Sequence, residues 1–274
     1  MLIVGERINT SRKVKGEAVI EQAVLNRDAG FIRDLATKQF EAGATYIDVN
    51  AGTLTSGEPE ALEWLTKTVM EAVDAPISFD TPNPAALEKA LEAYDTAKGQ
   101  PMINSITAES ERYRNVLPFV LDHKAKVIAL AMDDTGIQQD SVKRHAVAKK
   151  LIGDLAAAGV GLDDIYVDPL TFPIGTGSDV GVAMLAIIEK VKAEYPGVHI
   201  IAGLSNISHG MPARKLLNQA ITVLAMGKGL DAGIVDPNDR YLMALICATE
   251  ALLGRDDFCM NYITKSREGA FEGI

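Results

Sequence analysis

The feature that most constrains this chain is an alternation that runs from end to end. Short apolar runs of strand length take turns with longer amphipathic stretches of helix length. The runs at 2–8, 44–49, 76–79, 101–103, 127–132, 165–167, 199–204 and 231–235 make eight candidate strands. They are apolar at successive positions rather than at every second one, as strands of a parallel sheet covered by helices are. The stretches at 31–42, 59–73, 84–97, 109–122, 141–158, 179–194, 212–226 and 238–253 are rich in Ala, Leu, Glu and Lys, the residues of helices. Asn83-Pro84, Asp140-Ser141, Ser178-Asp179 and Pro237-Asn238 mark four of their starts. Eight units of about 34 residues each fill the 274 residues without a linker. The expected architecture is therefore α/β, a single-domain (β/α)8 TIM barrel spanning 1–274. An open doubly wound sheet would suit six strands better and would open on a glycine-rich turn that this chain lacks.

A formal net charge of -10 excludes nucleic acid as the main partner and disfavours an anionic membrane surface. With 47% apolar and 23% charged residues the chain can bury a sizeable core. No apolar stretch approaches the roughly 20 residues of a membrane span, and Met1 leads into a strand without a basic leader, so a cytoplasmic protein is expected. Cys247 and Cys259 lack the spacing of a zinc or disulfide pair and read as small apolar residues. The polar connection at 10–30 is either a lid or a surface excursion. The tail from Asp256, with Phe258, Tyr262 and Phe271, is expected to pack across the barrel or a neighbouring subunit.

A TIM barrel carries its chemistry where the strands end, so those residues form one ring. The ends offer Glu6 and Asn9, Asp48 and Asn50, Asp80, Asn104, Asp133, Asp168, Ser205 and Asn206, and Asp236. Any one of these could be a turn former. Together they alternate acids with amides, which suits an uncharged, nitrogen-rich heterocycle better than a divalent cation. Asp168 closes the apolar run of D-D-I-Y-V-D-P-L (163–170), where a carboxylate is costly unless something partners it. A 2-aminopyrimidinone ring, with two parallel N–H donors, would do so. No lysine at a strand end offers a Schiff-base nucleophile, and no G-x-S-x-G elbow or P-loop is present.

These residues carry a resemblance. The runs G-E-R-I-N (5–9), Y-I-D-V-N (46–50), S-F-D (78–80), M-I-N-S (102–105), V-D-P-L (167–170) and G-L-S-N (203–206) resemble, in order and over nearly the whole chain, the methyltetrahydrofolate:corrinoid/iron-sulfur protein methyltransferases. The barrel of that family also occurs inside cobalamin-dependent methionine synthase. The resemblance implies a homodimer that moves a methyl group between N5 of tetrahydrofolate and the cobalt of a corrinoid (cobalamin) held by a partner protein, with no metal bound by this chain. It implies pterin binding by Asp80, Asn104 and Asp168, a catalytic Asn206 near N5, and Arg214 near the outer folate. Asn9, Asp48, Asn50 and Ser205 match further motif positions. Dihydropteroate synthase, which shares the barrel, and a non-catalytic pterin-binding subunit are the alternatives. Against the former, the loop after the second strand reads A-G-T-L-T-S-G (51–57), not S-T-R-P-G.

Overall fold

The structure, a computed structural model, describes all 274 residues. Strand β1 (Leu2–Asn9) is followed by helices α1 (Val19–Leu25) and α2 (Ala29–Glu41), then by β2 (Tyr46–Asn50), α3 (Glu58–Ala72), β3 (Ile77–Asp80) and α4 (Pro84–Ala93). Next come β4 (Met102–Ala108), α5 (Ser110–Asp122), β5 (Lys126–Asp133), α6 (Ser141–Ala157), β6 (Ile165–Asp168) and α7 (Val180–Glu194). Strand β7 (His199–Ile200), α8 (Arg214–Lys228), β8 (Ala232–Val235) and α9 (Arg240–Leu252) complete the eight units, with α10 (Met260–Arg267) appended. All strand pairs are parallel, in the order β7-β6-β5-β4-β3-β2-β1-β8. This is the expected (β/α)8 barrel.

Two apolar layers hold it together. The outer layer packs one face of each strand against the helices, with Ile47, Phe79, Ile103, Val127 and Val167 under Leu65, Leu87, Leu151 and Ile188. The inner layer plugs the barrel with Val4, Tyr46, Met102, Ile128, Tyr166, Ile201 and Ala232. Strand side chains alternate between the two faces, so these residues fix which positions point inward along their strands, and Ile77 and Phe79 in the outer layer leave Ser78 and Asp80 as the inward positions of β3.

The ring closes between β7 and β8, and there the ladder is thinnest. Ile234 N–H donates to the Ala202 carbonyl at 3.0 Å and Asp231 N–H to that of Ile200 at 3.3 Å. A side chain reinforces them. Asp231 accepts from the Ile200 N–H at 2.8 Å and from Lys192 Nζ at 2.8 Å, and its Oδ2 lies 3.1 Å from His199 Nδ1. The other ring nitrogen of His199 lies 3.0 Å from Asp163, and the ring stacks on Tyr166 at 4.6 Å.

Several boundaries differ from those expected. Strand β4 does not stop at Asn104 but runs on to Ala108 past a shift in register, while β7 stops at Ile200, well short of Leu204. Helix α9 is capped by Asp239, which accepts from the Leu242 N–H, rather than by Asn238. Within the connection at 10–30, α1 buries Ile20, Ala23 and Val24, leaving 13–17 as the exposed turn. In the tail, Tyr262 pairs with Phe271 at 4.9 Å and Arg240 reaches the Ala270 and Glu272 carbonyls, so the chain folds back along α9. Phe258, 93% exposed, does not join that packing.

The His199 contact makes stability depend on pH. Its hydrogen bond to Asp231 raises the imidazole above its ordinary pKa, although burial opposes this. Its stabilisation is thus full below the unfolded value of about 6.5 and is lost as pH climbs through the folded one. Burial pushes Asp231 up, but hydrogen bonds from His199, Lys192 and the Ile200 N–H hold it low, so its share is lost only in acid. His199→Gln should lower Tm by about 2–4 °C near pH 5.5, since the solvent-open Asp163 arm limits the contact to roughly 1 kcal/mol. The loss should shrink clearly at pH 8.5 in parallel thermal melts. An equal loss at both would assign the effect to stacking on Tyr166.

Candidate active site

Two residues beyond the barrel plug, the inward positions change character. Val4, Tyr46, Met102 and Tyr166 give way to Glu6, Asp48, Asn104 and Asp168, and inward Ser78 is followed by Asp80. The alternation that packs the plug therefore aims these polar side chains at a common axis at the C-terminal mouth. Asp80 and Asn104 are direct register partners.

Strands β2, β3 and β4 share a hydrogen-bonded cluster. Ser78 Oγ donates to Asp48 at 2.7 Å, Asn104 Nδ2 approaches the same oxygen at 3.5 Å, and Asn50 Nδ2 donates to Asp80 at 2.9 Å. Burial and the neighbouring Asp80 carboxylate hold Asp48 well above the usual carboxylate range. Burial also raises Asp80, opposed by the Asn50 bond and by the Arg112 guanidinium, which is anchored on the Ser105 carbonyl. The mouth thus holds two crowded carboxylates with amides beside them.

Asp168 stands on β6, apart from that cluster. It is 8% exposed and takes one hydrogen bond from the protein, from the Leu170 N–H at 2.8 Å. Burial pushes its carboxyl up to about 6, against the pull of that N–H and of Arg144.

The seventh strand contributes differently. Gly203 pairs with inward-facing Ile234 yet has no side chain to offer. A Cβ built there would lie 3.1 Å from Nδ2 of Asn206, so the Asn206 amide occupies the space that Gly203 leaves. Asn206 itself rides on a 3-10 turn, Leu204–Ser208, not on a strand end. Arg214 braces the turn, donating from Nη2 to the Ser205 carbonyl at 2.9 Å and from Nε to Ser208 Oγ at 3.1 Å. Ser205 Oγ donates to Glu6 at 3.2 Å, and Glu6 is raised by burial despite Arg12 at 3.3 Å.

Not every expected residue joins this set. Asn9 accepts from the Ser11 N–H and hydroxyl and so shapes its own turn. Asp133 does the same with Thr135, and Asp236 pairs with Arg7 and Arg12. Sequence reasoning missed Ser78, Arg112 and Gly203. Ser78 and Gly203 lay inside quoted runs, S-F-D and G-L-S-N, without being singled out, and Arg112 left no signal. No group of three or more His, Cys, Asp or Glu side chains converges closely enough to hold a metal ion.

Residues 8–236 match the pterin binding enzyme family. The chain belongs to that family. It is 36% identical over 271 residues to the methylcorrinoid:tetrahydrofolate methyltransferase of Eubacterium limosum, across 98% of this chain and 97% of that one. It is 29% identical over 247 residues to the methionine synthase of Mycobacterium tuberculosis, across 86% of this chain but only 20% of that much longer one. Among solved structures, the dihydropteroate synthase of Xanthomonas albilineans in complex with 7,8-dihydropteroate superposes with a TM-score of 0.66 at 20% identity, over 93% of this chain and 94% of that one. At that identity the likeness is one of fold.

Asp48 offers a test of the crowding. A carboxyl with a raised folded pKa destabilises the fold once pH exceeds its unfolded value of about 3.9, and the penalty grows until the folded value is passed. Asp48→Asn keeps an acceptor for Ser78 and removes the charge. It should raise Tm by a few degrees at pH 8, as 1–2 kcal/mol does in a chain of about this size, and by little at pH 4.5. A loss of stability at pH 8 would mean that the Asp48 hydrogen bonds outweigh its burial.

Proposed function

We propose that this protein is a methyltransferase that moves a methyl group between a corrinoid carried by a partner protein and N5 of tetrahydrofolate, with the methylcorrinoid as donor. The carrying observation is Asp168: a buried carboxylate with one protein hydrogen bond, across the mouth from an acid–amide cluster. An ionised Asp168 can accept both N–H donors of a 2-aminopyrimidinone edge, while Asp80 and Asn104 meet the mixed donors and acceptors of the rest of the pterin. Asp48, Asn50 and Ser78 hold those groups in place. The direction rests on the name of the Eubacterium limosum relative, which fits over nearly the whole length of both chains.

The N5 lone pair attacks the methyl carbon, and the cobalt–carbon bond breaks with its electron pair left on cobalt. N5 becomes an ammonium and sheds its proton. An amide oxygen beside N5 stabilises that developing charge without itself exchanging a proton. Asn206, whose amide enters at the Gly203 gap, has this role, and Ser205, Arg214 and Glu6 steady its turn. Arg214, exposed at the rim, also suits the carboxylates of the folate tail. The departures from dihydropteroate synthase at 51–57 leave that reading with fold alone to support it.

A homodimer is supported by exposed Leu216, Leu224, Tyr241, Leu252 and Phe258 on neighbouring α8, α9 and the tail. A cytoplasmic site suits two free thiols, and no helix is long and apolar enough to cross a membrane.

Mixing the protein with a methylated corrinoid protein and tetrahydrofolate should convert the methyl–cobalt spectrum to that of reduced cobalt as 5-methyltetrahydrofolate forms. A protein that binds folate but leaves the spectrum unchanged is a binding subunit. Asn206→Ala should lower methyl transfer by about 10²-fold with little change in folate affinity, and Gly203→Ala should lower it less. Equal losses of rate and affinity in Asn206→Ala would remove the catalytic role. Asp168→Asn, which mispairs one donor, should weaken folate binding by about 1–3 kcal/mol, measured by calorimetry.

A further inference from the structure

Arg144 is an arginine without an evident reason to be where it is. It sits in the first turns of α6, is 1% exposed, and ranks first by volume among the fully buried side chains. Nη1 makes one long hydrogen bond, 3.4 Å, to the Gln138 carbonyl. Nε is buried and donates to no protein atom. The guanidinium lies over the Phe172 ring at 4.9 Å. A helix N-terminus repels a cation through its dipole, and a buried charge is costly unless a counter-ion answers it. Phe172 follows Asp168 by four residues, so the guanidinium covers the loop that leaves that carboxylate. Burial lowers the Arg144 pKa, and the charges of Asp168 and of the cap Asp140 partly offset it.

Resting on the reading of Asp168 as the pterin anchor, we propose that Arg144 is the positioning residue of the pterin subsite. Its charge keeps Asp168 ionised, and its stacking on Phe172 fixes the loop that follows Asp168. The need is chemical. A protonated carboxyl presents an O–H to a ring edge that itself offers only donors, and the pair of hydrogen bonds is lost. Burial raises the Asp168 carboxyl, and the Leu170 N–H and the Arg144 charge pull it down. Of these, Arg144 is the one cation. The other charged groups on the elements beside β6 are engaged elsewhere, exposed or acids: Lys126 at the start of β5 donates to the Tyr166 hydroxyl, Lys192 of α7 pairs with Asp231, and His145 of α6 stands beside Glu194. Lys143, Lys149 and Lys150 of α6 are exposed, Asp133 ends β5, Asp179 precedes α7, His199 is at the far end of β7 and His209 lies in the loop beyond it. Across the mouth are Glu6, Asp48 and Asp80. Removing Arg144 therefore leaves Asp168 buried with no positive charge to offset desolvation.

The test is the pH profile of 5-methyltetrahydrofolate binding, followed by calorimetry from pH 5.5 to 9 in the wild type, Arg144→Met, Arg144→Lys and Asp168→Asn. Wild-type affinity should fall below about pH 6. Arg144→Met should bind about fivefold more weakly at pH 6 and about twofold more weakly at pH 7, the effect of a shift of about one unit in midpoint, and match the wild type by pH 9. Arg144→Lys, which keeps the charge, should follow the wild-type profile. An Arg144→Met profile lowered by one factor at every pH, or not lowered at all, overturns the proposal. If instead Asp168→Asn binds as the wild type does, the anchor reading fails, whatever Arg144 does. Should Arg144→Met not fold, the infrared difference between wild type and Asp168→Asn reports the same carboxyl directly. Compared between the wild type and Arg144→Gln, a midpoint of that band displaced upward in the variant supports the proposal, and an unchanged midpoint overturns it.

Discussion

Carboxylates are costly to take out of water, and this barrel gathers several of them at one end. The cost arises from how the barrel is built. Strands in a closed parallel ladder alternate side chains between the helices outside and the axis within. Apolar inward residues, Val4, Tyr46, Met102 and Tyr166 among them, plug the axis and exclude water from below. The next inward positions inherit a low-dielectric floor, and there the chain sets Glu6, Asp48, Asp80 and Asp168. Asp48 and Asp80 crowd one another, and Asp168 stands alone with one backbone donor. In the proposed function this expense is repaid by the ligand, whose N–H groups complete what the protein leaves open.

Much of this was legible because it depends on local pattern. A strand buried on both faces is apolar throughout, so I-Y-V and V-I-A-L-A-M announced themselves, and an acid or amide at the end of such a run stands out. Asn104 misled as a strand end because polar Ser105 and Thr107 follow it. Both are buried in a β4 that shifts register and continues. The long seventh run overstated β7 because Ile201 and Ala202 are apolar for the plug and the outer core, not for a regular ladder. Asp133 fell on the wrong parity, which no count of strand ends can reveal. Arg144 was hidden more thoroughly. In V-K-R-H it reads as one more charge on a solvated helix face, and its burial depends on the loop after β6 folding over the start of α6. The gap at Gly203 likewise exists only once the ring has closed and inward has a meaning.

The two ends of the molecule divide their tasks. At the N-terminal end, Asp231, His199, Lys192 and Asp163 bind the closing seam with charges that find partners within the protein. At the C-terminal end Glu6 and Asp236 share Arg12, but Asp48, Asp80 and Asp168 have no ion-pair partner. The same residue types thus serve stability at one face and recognition at the other, and the deciding variable is whether a cation or a donor lies within reach. Arg144 stands between these cases, a buried cation without an ion-pair partner, held beside the loop that follows Asp168.

The Gly203 gap gives the proposed site an uneven stiffness. Asp80, Asn104 and Asp168 sit on strands locked into the ladder on both sides, and such groups move little beyond thermal vibration. Asn206 hangs on a five-residue turn after the shortest strand, steadied from outside by Arg214. A ring gripped along one edge by a rigid wall and met at its reacting edge by a movable finger can be held while its partner comes and goes. Loops of this kind reorganise in nanoseconds to microseconds without unfolding anything beneath them. In the proposed reaction the corrinoid arrives on another protein and leaves again, so a barrel equally stiff all round would have to loosen its hold on the ring at each exchange. This one can yield on a single side.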